Sequence, residues 1–231
     1  MSIDQAISHL LEHVHSLAAA RRDAFPELPA VRIAAVTKNQ SAQTVKAALA
    51  AGLRIAAENR VQEALQKHAV IGEAAEWHFI GHLQTNKVKQ VVPFCQLIHS
   101  LDRQELAVAI DQAAAKLNKR QDVLLQVNVS GEATKFGVRP GQAVELAKFA
   151  ASLPNIRLCG CMTIAPLYEN MEETRPVFRE LAYLFQEIKT LNLPNSRLEW
   201  LSMGMTHDYP VAIEEGANII RIGTGIFGKR G

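Results

Sequence analysis

Short apolar runs recur along this chain with helical segments between them, and that alternation constrains the fold more than any other feature. The runs fall at 32–37, 53–57, 77–81, 96–100, 122–129, 157–164, 198–203 and 218–223. Within each run apolar residues follow one another instead of alternating, as in strands buried on both faces of a parallel sheet. Each of the first seven precedes a stretch of helical spacing, such as "SAQTVKAALAA" or "LDRQELAVAIDQAAAKL", and the Asp102–Glu105 pair in the second reads as a helix start. Eight such units in 231 residues predict an α/β protein, a single (β/α)8 TIM barrel, over an open doubly wound sheet. No linker, composition shift or low-complexity stretch interrupts the pattern, so residues 1–231 are expected to form one domain.

An extra N-terminal helix is expected at about 2–21. Ile3, Ile7, Leu10, Leu11, Val14 and Leu17 fall on one stripe, and Ser2 with Gln5 makes a capping box. Asp4, Glu12 and three histidines break this segment up, so it does not read as a signal peptide, and no apolar run is long enough to span a bilayer. Cys95, Cys159 and Cys161 are few and odd in number, which fits a reducing cytoplasm; the "CGC" pair reads as small buried residues on a strand. A net charge of +2 gives no electrostatic reason to expect nucleic acid or an anionic membrane as partner.

In such barrels chemistry sits where strands end, at the C-terminal face. Those ends carry Lys38, then Glu58 and Asn59, then "GHLQTNK", "SGEATKFG", "MTIAP", "SMGMTHD" and "RIGTGIFG". The loops after strands seven and eight commonly bind phosphate through backbone N–H groups. Here they offer Ser202 and Thr206, and Gly223, Thr224 and Gly225. Arg221 points away from Ile220 and Ile222, and a buried arginine needs a partner, protein or ligand. Strands one and eight adjoin in a closed barrel, so Lys38 and this anion-binding rim share a face. The combination suggests a phosphorylated carbonyl cofactor captured as an imine, of which pyridoxal 5'-phosphate (PLP) is the common case.

"WHFIGHLQTNK", "VNVSGEATKFG", "MTIAP", "LSMGMTHD" and "RIGTGIFG" together resemble the pyridoxal phosphate homeostasis protein family, similar to the barrel domain of alanine racemase, from about Val31 to Gly228. The resemblance implies that Lys38 is the Schiff-base lysine and that Arg221 faces the pyridine nitrogen. It also implies that Gly223, Thr224, Ser202 and Thr206 surround the phosphate with Asn59 nearby, Ser202 and Thr206 being alternatives as much as partners. Lys135 in "TKFG" is a plausible second amine. The family usually reads "SKTK" and "GEN" where this chain reads "TKNQ" and "AEN". Lys38 and Asn59 match, whereas Asn39 and Gln40 replace residues near the entrance, which bears on release or transfer of cofactor.

An arginine facing the pyridine nitrogen keeps that nitrogen unprotonated, and such a ring is a poorer electron sink. Racemases of similar fold take a second base, a tyrosine, from a further domain of the partner subunit. This chain ends seven residues after Thr224, so that domain is expected to be absent. Tyr168 is near a strand end, Tyr183 sits in a long helix and Tyr209 begins one. The expected function is therefore to hold, buffer or supply PLP, with PLP-requiring apo-enzymes as recipients, a monomeric state and no robust turnover. The alternatives are a PLP-dependent amino-acid racemase and a barrel that binds another phosphorylated metabolite non-covalently.

Blander readings stand beside these. Alone, Lys38 reads as a solvated strand cap and "RIGTG" as a glycine-rich turn. Arg221 has the alternative of a structural ion pair with Glu199 or Asp208. His78 reads as packed or paired in the barrel wall, His82 as a strand-end residue within reach of cofactor, Lys87 and Lys89 as solvated, and Met203 and Met205 as pocket packing.

Overall fold

Eight parallel strands close on themselves in chain order: β1 (Arg32–Val36), β2 (Ile55–Glu58), β3 (Glu76–Phe79), β4 (Leu97–Leu101), β5 (Gln121–Gln126), β6 (Ile156–Met162), β7 (Ser196–Met205) and β8 (Ile219–Ile222). The computed structural model describes residues 2–228, with the backbone alone for Ala20, Arg22 and Asp23. Every expected run overlaps a strand, including 96–100, the weakest signal, which is β4. The helices are α1 (Ile3–Ala24), α2 (Ala42–Ala50), α3 (Val61–Ile71), α4 (Val88–Val91), α5 (Gln104–Ala115), α6 (Pro140–Ser152), α7 (Arg175–Thr190), α8 (Tyr209–Glu214) and α9 (Thr224–Phe227). This is the (β/α)8 barrel that the alternation predicts. Among the described residues, no helix is long and apolar enough to cross a membrane.

Apolar residues on both faces of each strand serve two cores. Ala34, Ile55, Ala57, Leu97, Leu124 and Ile219 pack inside the barrel. Ile33, Ala35, Ala56, Ile98, Ile220 and Ile222 join the layer beneath the helices. Arg221 therefore faces the interior, as its two isoleucine neighbours require. The interior mixes these with small and polar side chains, so the barrel lumen is where buried polar chemistry resides.

The capping box of α1 is present: Gln5 N–H donates to Ser2 Oγ at 3.2 Å, and Ser2 N–H donates to Gln5 Oε1 at 3.0 Å. The helix runs three residues past its expected end because "RDA" contains no breaker. Ile7, Leu10 and Val14 are buried against the barrel side formed by α8 and α9, but Leu11 is 40% exposed. One residue on from Leu10, it is turned about 100° off the buried face. Asp102 does not start α5: the N-cap is Arg103, and the Asp102 carboxylate instead accepts from Arg103 Nη1 at 2.5 Å and lies 3.4 Å from His82 Nδ1.

Candidate functional site at the C-terminal mouth of the barrel

Past Val36, β1 ends in a tight turn in which Gln40 N–H donates to the Thr37 carbonyl at 3.0 Å. Lys38 takes the first central position and Asn39 the second, at φ 59°, the left-handed conformation that asparagine tolerates. The turn is clamped on both sides of Lys38. Lys67 Nζ donates to the Thr37 carbonyl and to Glu58 Oε1, each at 2.6 Å, and Thr37 Oγ1 donates to Glu58 Oε1 at 2.5 Å. Asn39 N–H donates to Glu63 Oε2 at 2.6 Å. Burial pushes the Glu58 carboxyl up against the pull of Lys67 and Thr37. Burial also acts upward on Glu63, but the Asn39 N–H and Lys67 outweigh it and hold that carboxyl low. Lys38 itself projects from the rim, exposed.

Arg221 lies deeper in the barrel, opposite Ala34 on β1 and Met205 on β7. Its Nη1 donates to Ser202 Oγ and its Nη2 to the Thr163 carbonyl, both at 2.8 Å. Burial pushes its pKa down to about 10, with Asp208 acting the other way, so it is a cation at neutral pH. The ion-pair reading of Arg221 is corrected. Glu199 pairs with Arg197 at 2.7 Å, and Asp208 Oδ1 accepts from Met205 N–H at 2.6 Å. No carboxylate lies within 4.0 Å of the guanidinium nitrogens among the described residues.

The two hydroxyls that the sequence leaves as alternatives are separated. Ser202 is fully buried below the rim, between Arg221 and His99. Thr206 stands beside the "GTG" loop, its Oγ1 accepting from Gly225 N–H at 3.2 Å. Gly223 lies against Val36, where an added Cβ would be 3.5 Å from the valine Cβ, and Thr224 opens α9. Asn59 follows β2, and its Oδ1 is buried without a hydrogen-bond partner. Gly81 is packed so tightly on Asn59 that a Cβ there would fall 2.2 Å from the Asn59 carbonyl oxygen.

Farther around the rim the His82 ring stacks on Phe136 at 3.9 Å between centroids. Lys135 Nζ is paired with Glu132 at 2.8 Å on the same loop as Phe136. Tyr168 is half-buried after β6, Tyr183 is 70% exposed on α7, and Tyr209 is bonded through Oη to His13 Nδ1 at 2.6 Å. Met203 packs under the helices instead of lining the mouth. Sequence reasoning passed over Lys67 and Glu63, whose i,i+4 spacing on α3 was their one signal, and over His99, which carried none.

The mouth thus sets an exposed amine above a buried guanidinium on adjoining strands, beside a glycine-rich loop and an unpartnered amide oxygen. Comparisons with known proteins identify the family. Residues 11–231 match the family model described as "Alanine racemase, N-terminal domain". The pyridoxal phosphate homeostasis protein of Aquifex aeolicus is 52% identical over 180 residues, 78% of each chain. That of Pasteurella multocida is 35% identical over 234 residues, 100% of this chain and 98% of its own. The structure of PipY from Synechococcus elongatus with PLP bound superposes with a TM-score of 0.78 at 35% identity, covering 92% of this chain and all of that one. The strand-end motifs, the barrel and these likenesses agree, and the chain belongs to the pyridoxal phosphate homeostasis protein family, within the fold of the alanine racemase N-terminal domain.

Proposed function

We propose that this chain binds PLP in the C-terminal mouth, held as a Schiff base on Lys38, and that it buffers or supplies the cofactor. The observation that carries the reading is the register of β1 on β8, which pairs the buried Arg221 with Ala34 on the strand that ends in the exposed Lys38. The donor set fits the group. The Thr206 hydroxyl, positioned by the Gly225 N–H that donates to it, would hold the phosphate with the N–H groups of Gly223 and Thr224, Arg221 would face the ring nitrogen, and the buried Asn59 amide would lie nearby. Ser202 supports Arg221 from below in this reading and does not touch phosphate.

Lys38 would hold the cofactor through its Nζ, the amine that a Schiff base with an aldehyde requires. When bound, PLP supplies an electron-accepting ring. Arg221 limits that capacity, because a guanidinium facing the ring nitrogen opposes its protonation. Storage and delivery therefore suit the site better than racemisation. PLP-requiring apo-enzymes are the proposed recipients, and the proposed working form is a one-domain monomer in the cytoplasm.

The test is the visible spectrum of the purified protein with added PLP, before and after borohydride, followed by peptide mass mapping. A band abolished by reduction, with pyridoxyl mass on the Lys38 peptide and none in Lys38→Ala, is the expected result. No band at all overturns the covalent reading, and mass on the Lys135 peptide moves the attachment there. Rapid stereoinversion of an amino acid by the loaded protein would replace storage with racemase activity.

A further inference from the structure

A row of buried polar side chains runs through the barrel from Arg221 to the opposite mouth. Arg221 Nη1 meets Ser202 Oγ at 2.8 Å, Ser202 Oγ meets His99 Nδ1 at 2.9 Å, and His99 Nε2 meets His78 Nδ1 at 2.9 Å. His78 Nε2 then meets Glu76 Oε1 at 2.9 Å, and Arg32 grips both oxygens of that carboxylate. Glu76 and Arg32 line a cavity of about 190 Å³ at the N-terminal mouth, with Asp122, Arg157, Glu199 and Trp200 around them. Ser202, His99 and His78 are at most 1% exposed, so water does not complete their bonding.

Only one assignment of protons satisfies every member. Burial pushes the Glu76 carboxyl up, but His78 and Arg32 outweigh it and hold it at about 2, so it is an acceptor only. His78 must then carry its proton on Nε2. Burial keeps the His78 ring below its ordinary pKa, and that of His99 well below, so both are neutral at pH 7. The bare Nδ1 of His78 accepts from His99 Nε2–H, the bare Nδ1 of His99 accepts from the Ser202 hydroxyl, and Ser202 accepts from Arg221. The opposite order would aim a histidine lone pair at the Glu76 carboxylate.

We propose that Glu76, His78 and His99 are positioning residues: they fix the direction of the Ser202 hydroxyl, and through it the guanidinium of Arg221, from the far end of the barrel. The effect on cofactor rests on the PLP reading above; the proton order itself does not. A Ser202 proton committed to His99 leaves its lone pair to Arg221 Nη1. Arg221 is thereby held by two bonds from below, with its other N–H groups left for the ring nitrogen.

Two measurements test this separately. In PLP-free protein labelled with 15N-histidine, long-range proton–nitrogen correlation should show both buried rings neutral with the proton on Nε2 at pH 7. A charged ring, or a proton on Nδ1 of either, overturns the relay whatever the protein binds. On saturation with PLP, both ring resonances should move although neither side chain reaches the mouth, and rings that stay still overturn the coupling. His99→Asn keeps a polar group near Ser202 but falls short of His78. Folded by circular dichroism, it should bind PLP about tenfold more weakly, the scale of one hydrogen bond to a charged group. It should also shift the pH midpoint of the visible band, which a purely structural role would leave in place. Binding within about twofold of the parent and an unchanged pH profile overturn the positioning role. Failure of the parent protein to bind PLP overturns the cofactor reading alone.

Discussion

Lys67 Nζ donates to the main-chain carbonyl of Thr37, the residue before Lys38, at 2.6 Å while paired at the same distance with the buried Glu58 carboxylate. Helix α3 thus reaches across to hold the turn that presents the rim lysine. Glu63, one helical turn before Lys67, holds the other side through Asn39 N–H. The orientation of Lys38 is set by side chains that never touch its own.

Removing Lys67 should therefore be costly twice over. Lys67→Met leaves Glu58 buried without its cation and should destabilise the fold by about 3–5 kcal/mol in urea denaturation. It should also lower borohydride-trapped pyridoxyl on Lys38, while Lys67→Arg recovers part of both. Parent-like stability and labelling of Lys67→Met would show that the clamp is idle.

Acid should weaken this protein in two stages. His78 and His99 are held neutral when folded, so below their ordinary 6.5 the unfolded chain binds protons the folded one refuses. Stability is then lost as pH falls through 6.5, at up to about 1.4 kcal/mol per pH unit for each ring. Glu76 contributes in a lower window: its stabilisation is complete above 4.5 and disappears as pH falls toward about 2. Allowing for its partial exposure, that share is about 1–2 kcal/mol. Urea titrations across pH should show His99→Asn flattening the upper limb and Glu76→Gln the lower.

Gly81→Ala places a methyl group 2.2 Å from the Asn59 carbonyl oxygen, and neither backbone has room to yield without moving Asn59. Overpacking of this kind costs about 1–3 kcal/mol. Weaker PLP binding should accompany the loss, measured by fluorescence titration. Gly52→Ala, at φ 103° with open space around its Cβ position, should lose stability alone.

All three thiols should resist modification. Burial pushes Cys95, Cys159 and Cys161 to about 12, and each is at most 2% exposed. A thiol-reactive chromophore at pH 8 should label none in the native protein and three after denaturation. Prompt labelling of any one would mean that the structure around it opens on the time scale of the reaction.

What the linear chain determined is the architecture and the rim. Burial on both strand faces writes runs of consecutive apolar residues, and turns between strands and helices write Gly, Asn and Pro, so strand ends such as Lys38, Asn59 and "RIGTG" can be located by position alone. Alternation places Arg221 inside the barrel for the same reason, because its two isoleucine neighbours leave it one side to face. Only the tertiary structure decided which polar residues meet. Ser202 and Thr206 are equivalent hydroxyls along the chain, yet β7 carries one inward beneath Arg221 and leaves the other at the rim beside Gly225. Glu58 and Lys67, or His99 and Ser202, lie on different elements, and no local propensity couples them. Their bonds exist because packing of α3 on β2, and closure of the barrel for His99 and Ser202, bring those elements together, and because a buried polar group left without a partner costs more than the geometry that supplies one.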